Sequence, residues 1–352
     1  MRVLVTGNEG YIGCLLGPYL VERGHEVVGA DAGFYRAGWL YNGVSRSVET
    51  MNKDIRLLTE ADFEGIDAVV HMAELSNDPL GQLAPTATYE INHQGSLHVA
   101  LTAKASGVER FVYTSSCSVY GAATQDLVDE ESPLAPQTAY AECKGLVERD
   151  VGALAGDAFS PTFLRNATAY GASPRMRFDI VVNNLCGLAW TTREIKMESD
   201  GTPWRPLVHL LDICNAVACV LEAPRARVHG QILNVGAPDA NFQVREIAEL
   251  VGRVFPACAV TVGERGADRR SYRVSFRKIH ELLPDFRCEW DPELGARQLL
   301  EVFSRVDLSY DDFVSRKFTR LKQIEYLLQT MQIDESFRWS PLGLAAAGAT
   351  AR

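Results

Sequence analysis

The first thirteen residues constrain the fold more than any other stretch. Arg2-Val3-Leu4-Val5-Thr6 is a short apolar run that leads straight into Gly7, Gly10 and Gly13, and helical spacing follows over Tyr11–Arg23. A strand that enters a glycine turn and leaves as a helix is the opening of a βαβ unit. One glycine permits the tight turn, one lets backbone N–H groups approach a pyrophosphate, and one allows the helix to pack closely on the strand. Glu26–Ala30, closed by Asp31, reads as the next strand, as do Ala68–Met72, Arg110–Thr114 and Ser160–Leu164. Asn92–Ser106 and Ala139–Ala155 read as helices between them.

This alternation predicts an α/β chain: a Rossmann-type doubly wound parallel sheet with helices on both faces. After about residue 165 the pattern loosens, with Pro174, Pro203 and Pro206 cutting it into shorter elements. The expected division is residues 1–165 for the dinucleotide half and 166–342 for a smaller, mixed α/β substrate half, some segments of which return to the first. An Ala/Gly tail, 343–352, is expected to be disordered.

The formal net charge of −10 over 352 residues argues against nucleic acid or an anionic membrane as partner. No apolar stretch approaches the roughly eighteen residues of a membrane span. Met1 opens directly on the first strand, so a cytoplasmic protein without a signal peptide is expected. The eight cysteines are scattered, with no C-x-x-C pair and no ligand-like spacing to histidine. Reduced thiols and no metal are the expectation.

Asp31 follows Gly13 by 18 residues, about where a carboxylate would hydrogen-bond the adenosine ribose. That favours NAD over NADP, whose extra phosphate a carboxylate repels; Arg36 nearby works against the preference. Tyr140 and Lys144 stand one helical turn apart and so point the same way. A phenol near pKa ~10 is a poor base at neutral pH. A neighbouring ammonium and a positively charged nicotinamide would stabilise the phenolate. Alone, such a Y-x-x-x-K pair is most often two surface residues of a helix. Here it follows a strand that ends in Ser115-Ser116, inside a nucleotide-binding pattern, and Ser116 could hold a substrate oxygen. The set predicts hydride chemistry on an alcohol.

With these motifs the chain resembles the extended short-chain dehydrogenase/reductases that act on nucleotide sugars, whose best-known members are the UDP-glucose 4-epimerases. The resemblance rests on the glycine run, on Ser116, Tyr140 and Lys144, and on Ser116-Cys117-Ser118-Val119-Tyr120-Gly121, and covers about residues 1–290. It implies that Tyr11 and Ile12 join the glycines at the cofactor, that Asp54 and Ile55 contact adenine, and that Met72, Ala73 and Asn92 lie along the dinucleotide. On the substrate side it implies Ser76 and Asn166 near the sugar, and Asn184, Leu185 and Arg205 at the diphosphate. Arg265 and Asp268 fall where the family holds phosphate and nucleoside ribose. It further implies a homodimer, and the apolar faces of Asn92–Ser106 and Ala139–Ala155 would suit one, though the same faces could be core.

Departures from the family pattern narrow the reaction. The 4,6-dehydratases carry an Asp-Glu pair directly after the active-site hydroxyl, and the decarboxylating members a glutamate at the second position. Here those places hold Cys117 and Ser118, neither a good carboxylic acid or base. Glu74 puts a charge where the family has a small residue, and would either contact the sugar or turn outward. The expected activity is NAD-dependent epimerisation of a UDP- or TDP-sugar, at C4 through a transient 4-keto sugar. A nucleotide-sugar 4-ketoreductase uses the same residues, and a non-catalytic NAD-binding sensor is the reading from another class. The sugar itself depends on the pocket formed by Leu75–Leu80, Ala167–Phe178 and the C-terminal part.

Overall fold

The computed structural model describes residues 1–44, 48–76, 78–122, 125–264, 271–341 and 343. The strands, in chain order, are β1 (Arg2–Thr6), β2 (Glu26–Asp31), β3 (Glu49–Asn52), β4 (Ala68–His71), β5 (Arg110–Ser116), β6 (Ser160–Asn166), β7 (Thr168–Tyr170), β8 (Glu194–Lys196), β9 (Trp204–His209), β10 (Ile232–Val235), β11 (Asn241–Gln243) and β12 (Ala259–Thr261). Seven of them form one sheet in the order β10-β6-β5-β4-β1-β2-β3, and every neighbouring pair is parallel. The continuous apolar run of β4 and all seven residues of β6 are buried, as a sheet covered on both faces requires. From β1 the chain moves outward to β2 and β3, then returns to β4 on the other side of β1. That reversal leaves a crevice at the carboxyl ends of β1 and β4, where ligands of such sheets bind.

The expected strands all form; β2, β5 and β6 extend further than the sequence pattern indicated, and β4 ends one residue early, at His71. β5 and β6 continue to Ser116 and Asn166, which are register partners at the crevice end of the sheet. Tyr89–Gly95 winds as a wide turn with i→i+5 bonding before the regular helix Ser96–Ala105 begins. Such a widened turn is common at functional sites, and here it carries Asn92. The edge strand β3, short and half-polar, lacked a periodic signal.

The chain after β6 is mixed. β11, β9 and β7 make a three-stranded sheet, with β11 antiparallel and β7 parallel to β9, and β12 pairs with β8. The helices Val181–Thr192, Val244–Val254 and Pro292–Val306 close a second core around Phe178, Ile247, Leu299 and Phe303. Between these elements β10 joins the edge of the main sheet, and Leu210–Glu222 packs against the first helix, Gly13–Glu22. The helix Arg320–Gln329 and the chain after it also return: Ile324, Leu327, Ile333 and Phe337 share a core with Leu4, Ala30 and Val69. No helix among the described residues is long and apolar enough to cross a membrane. All eight cysteines are free thiols. Except for Gly343, the expected tail 343–352 lies outside the described residues, as do Arg265 and Asp268.

Candidate active site

A cleft of about 680 Å³ runs from the glycine turn, past the ends of β4 and β5, to β8, β9 and the helix Val181–Thr192. Its cofactor end is built from the turn after β1. Gly7 has φ +74°, and a Cβ there would stand 2.9 Å from the Ala73 backbone nitrogen. A Cβ on Gly13 would stand 2.2 Å from the Gly7 carbonyl oxygen. Only bare backbone lets the turn and the strand end come so close, and the helix Gly13–Glu22 then presents its N-terminus to the cleft.

Asp31 ends β2 and lines the same cleft. One carboxylate oxygen accepts the Gly33 N–H at 2.7 Å and the other the Glu9 N–H at 3.1 Å. Burial, and then the Glu9 charge, raise its pKa above the usual carboxylate value. Arg36, the residue that opposed an NAD preference, is committed to Glu9 at 2.5 Å. Asp54 and Ile55 line the cleft, with the Asp54 carboxylate held by Arg56 at 2.6 Å. The glycines, the helix N-terminus, the Asp31 carboxylate and the apolar Ile55 together fit a dinucleotide.

The helix Ala139–Gly152 is started by Thr138, whose hydroxyl accepts the Ala141 N–H at 3.2 Å. From its first two turns Tyr140 and Lys144 both reach the cleft, as does Ser116 at the end of β5. The Ser116 hydroxyl also accepts the Ser118 N–H at 3.1 Å and so starts the turn Cys117–Tyr120. Lys144 Nζ donates to the Thr114 carbonyl and lies 5.4 Å from the Tyr140 ring centre.

Glu74 does not take the outward course; it stays at the cleft wall. Its carboxylate turns inward, 2.7 Å from Lys144 Nζ, with both side chains buried, and the Tyr113 hydroxyl donates to its other oxygen. Burial alone would lower the Lys144 pKa, but the Glu74 carboxylate and the Tyr140 phenol outweigh it and hold the ammonium above its ordinary value. The carboxylate stays above its usual range because burial outweighs Lys144 and Tyr113. The sequence showed the charge at Glu74; only the fold shows its partner.

Other expected residues separate into those at the wall and those behind it. Met72, Ala73, Ser76, Asn166, Asn184, Leu185 and Arg205 line the cleft together with Gly10, Tyr11 and Ile12. The Asn166 carboxamide oxygen is buried with no hydrogen-bond partner among the described residues. Asn184 donates to the Phe178 carbonyl at 3.0 Å, and Arg205 to the Trp204 carbonyl at 2.8 Å. Asn92 stands behind the wall: fully buried, it grips the Leu75 backbone, accepting its N–H at 2.8 Å and donating to its carbonyl at 3.0 Å. Cys117 is also turned away, its thiol donating to the Arg165 carbonyl at 3.2 Å and pushed up in pKa by burial.

Arg177, Asp179, Tyr272 and Arg320 are wall residues that sequence reasoning did not single out. Arg177 fell inside a segment noted only for pocket shape. Arg320 lies beyond the stretch on which the resemblance rests, and no motif marks it. Asn183 is a further structural link, since its amide donates to the Tyr11 hydroxyl at 2.8 Å and to the Arg177 carbonyl at 2.9 Å.

A family model described as the NAD dependent epimerase/dehydratase family matches residues 3–236. The chain belongs to that family. A UDP-glucose 4-epimerase of Corynebacterium glutamicum is 27% identical over 312 residues, 83% of this chain and 91% of the relative. A UDP-N-acetyl-alpha-D-glucosaminuronate decarboxylase of Bacillus cytotoxicus is 24% identical over 332 residues, 87% and 98% of the two. Among solved structures, the NAD dependent NDP-hexosamine 5,6-dehydratase TunA has a TM-score of 0.77 at 25% identity, covering 87% of this chain and 99% of its own. MoeE5, solved with UDP-glucuronic acid and NAD, has a TM-score of 0.74 at 26% identity, with coverage of 87% and 99%. This epimerase/dehydratase family member is therefore an enzyme with NAD as its cofactor, and the dinucleotide fit of the cleft agrees. The relatives divide among epimerisation, decarboxylation and dehydration, so the reaction has to be argued from the chain's own residues.

Proposed function

We propose that this chain is an epimerase of a nucleoside-diphosphate sugar, acting at C4 through a transient 4-keto sugar. The observation that carries the reading is the set of groups at the reacting end of the cleft. Ser116, Tyr140 and Lys144 line it together, while the two positions after Ser116 hold a buried thiol turned to Arg165 and a serine hydroxyl. Alcohol oxidation and reduction need only the first three. Elimination or decarboxylation by the family's usual means needs a carboxylate that Cys117 and Ser118 do not offer.

In this reading the Ser116 hydroxyl holds the 4-oxygen of the sugar, and Tyr140 takes its proton and later returns it. Bound NAD supplies a hydride acceptor that becomes the donor for the return. Lys144 favours the phenolate form of Tyr140, and Asn166 offers its unsatisfied carboxamide to the sugar. Asn184, Leu185 and Arg205 hold the nucleoside diphosphate, with Arg265 and Asp268 expected to complete that end. The cleft, at about 680 Å³, has room for both ligands and for the keto sugar to present its other face. The substrate is a UDP- or TDP-sugar, and the assembly a homodimer through the helix pair Ser96–Ala105 and Ala139–Gly152, which sedimentation velocity tests.

The deciding experiment incubates the purified protein with UDP-glucose, UDP-N-acetylglucosamine, UDP-glucuronate and TDP-glucose and follows the sugars by NMR. A C4 epimer formed without net consumption of coenzyme supports the reading. Stoichiometric consumption of NAD(P)H with a 4-keto sugar would assign a ketoreductase instead, and an unsaturated or decarboxylated product would sink both.

A further inference from the structure

Three buried guanidiniums stand together on the side of the cleft that faces the glycine turn. Arg175 is spent on structure: its Nη1 donates to the carbonyls of Tyr35, Arg36 and Gly38, at 3.0, 2.6 and 2.6 Å. Arg177 pairs with Asp179 at 2.9 Å and donates to the Ser76 hydroxyl at 3.1 Å and carbonyl at 3.2 Å. Arg320 has no such anchor. Only 4% exposed, it makes one long hydrogen bond among the described residues, 3.4 Å to the Arg175 carbonyl, and its guanidinium lies 4.1 Å over the Tyr35 ring. Burial and the repulsion of Arg177 push its pKa down to about 10. Asp179 attracts Arg320 too, but is already paired with Arg177 at 2.9 Å; a buried cation that must share its carboxylate is costly unless a ligand brings more counter-charge.

The position of the cluster says which ligand. Arg177 and Arg320 line the cleft, and Arg175 does not. The Arg177 charge acts on the Tyr11 phenol of the glycine turn, and Asn183 ties the two residues together. Tyr35 follows Asp31 on the chain and feels its charge. The two guanidiniums therefore stand at the end of the cleft that holds Tyr11 of the glycine turn and Tyr35.

Arg320 is brought there by a part of the chain that the family model does not reach. Around it, the C-terminal segment is fastened across the loop that follows Asp31. Gln323 donates to the Phe34 carbonyl at 3.0 Å, the Trp339 indole to the Ala32 carbonyl at 2.6 Å, and Arg56 to the Ser336 carbonyl at 2.7 Å. On its other side Phe318 accepts the Phe178 N–H at 3.1 Å. The segment is a strap that spans the adenosine end.

We propose that Arg320, delivered by this strap, and Arg177 form the outer wall of the dinucleotide site and clamp the cofactor pyrophosphate against the glycine turn, so that NAD stays bound from one turnover to the next. Charge-assisted, forked hydrogen bonds from arginine suit a diphosphate oxygen, and a closed clamp lowers the rate of release more than it alters the rate of binding. The clamp gives the epimerase reading the resident cofactor that it needs, and rests on that reading only for its purpose, not for its chemistry.

The test compares wild type with Arg320→Gln and Arg320→Lys, using NAD, ADP-ribose, adenosine and UDP as probes and a melting curve for each protein. Wild type should keep NAD through gel filtration. Arg320→Gln should bind NAD and ADP-ribose ten- to a hundred-fold more weakly and release NAD faster, with adenosine and UDP within about two-fold of wild type. Arg320→Lys should fall between the two. Unchanged NAD binding with weakened UDP binding would hand the cluster to the substrate diphosphate and overturn the proposal, as would unchanged binding of both. Should the glutamine variant fail to fold, wild type decides: NAD lost on gel filtration overturns the clamp. Retained NAD with no epimerisation of any sugar leaves the clamp standing and removes the epimerase reading. Epimerisation by a protein that exchanges NAD freely does the reverse.

Discussion

Lys144 serves two neighbours of opposite character, the Tyr140 phenol and the Glu74 carboxylate. Replacing Tyr140 by Phe removes the proton carrier and keeps the ring, so turnover should fall roughly a hundred-fold or more while nucleotide-sugar binding holds. Equal losses in turnover and binding would make the residue structural. Glu74→Gln keeps the acceptor for the Tyr113 hydroxyl and deletes the charge 2.7 Å from Lys144. The groups facing Lys144 would then be Tyr113 from β5, Tyr140 and Glu148 from its own helix, and His71 from β4. Glu148 is already paired with Arg165 at 2.7 Å, so more of the lysine charge falls on Tyr140. The acid limb of the pH–activity profile should move to lower pH by about one unit. A profile that stays in place would mean that Glu74 only packs.

At the scale of elements, the site depends on where strands stop and helices start. β5 and β6 run on until Ser116 and Asn166 stand side by side, and Thr138 fixes the first turn of the Tyr140 helix. Thr138→Ala should cost about 1 kcal/mol of stability, the usual worth of an N-cap, measurable as a lower denaturant midpoint. β9 carries Arg205 into the cleft. Arg205→Ala should weaken UDP or TDP binding by about 2–3 kcal/mol, as loss of a charged hydrogen bond would, and leave NAD affinity unchanged. Fluorescence titration with each ligand checks this; equal losses for both ligands with a lower melting temperature would indicate misfolding.

Across the whole molecule, two electrostatic consequences follow from burial. Asp31 and Glu9 stand together at the ribose end with Arg36 neutralised, so NAD should bind more tightly than NADP in calorimetry on stripped protein. Tighter NADP binding would mean that Arg36 leaves Glu9 for the phosphate. Buried histidines set the acid response. His71, between Thr6 and Ser96, is pushed down to about 3 mainly by burial, and His209 to about 4. The unfolded chain takes up these protons near pH ~6.5, so the stability that the neutral rings contribute is present above that pH and is lost as pH falls toward 4 and below. Asp212, raised to about 6 by burial, works the other way: its folded form binds a proton first, and so gains stability between about pH 6 and 4. Asp31, Glu74 and Glu130, also raised mainly by burial, act in the same direction as Asp212. His71→Gln removes one of the opposing histidines, so between pH 7 and 5 its melting temperature should fall less, or rise more, than that of the wild type.

The sequence by itself determined the dinucleotide half. Gly7, Gly10 and Gly13 after an apolar strand, Asp31 after the next, and Tyr140 one turn before Lys144 are local patterns whose spacing is the geometry, because strand and helix periods act within a few residues. The parallel sheet followed from repeated βαβ alternation, for which one handed solution dominates. Tertiary structure alone decided what lies between distant segments. It turned Glu74 to Lys144 across 70 residues of chain, set Asn92 behind the wall on Leu75, and brought Arg320 back to the residues after Asp31. None of these pairings has a period or a motif. The first two are fixed by the need to satisfy a buried charge or polar group, a need that exists only once the chain has folded around it, and the third by the packing of the C-terminal segment against the residues after Asp31.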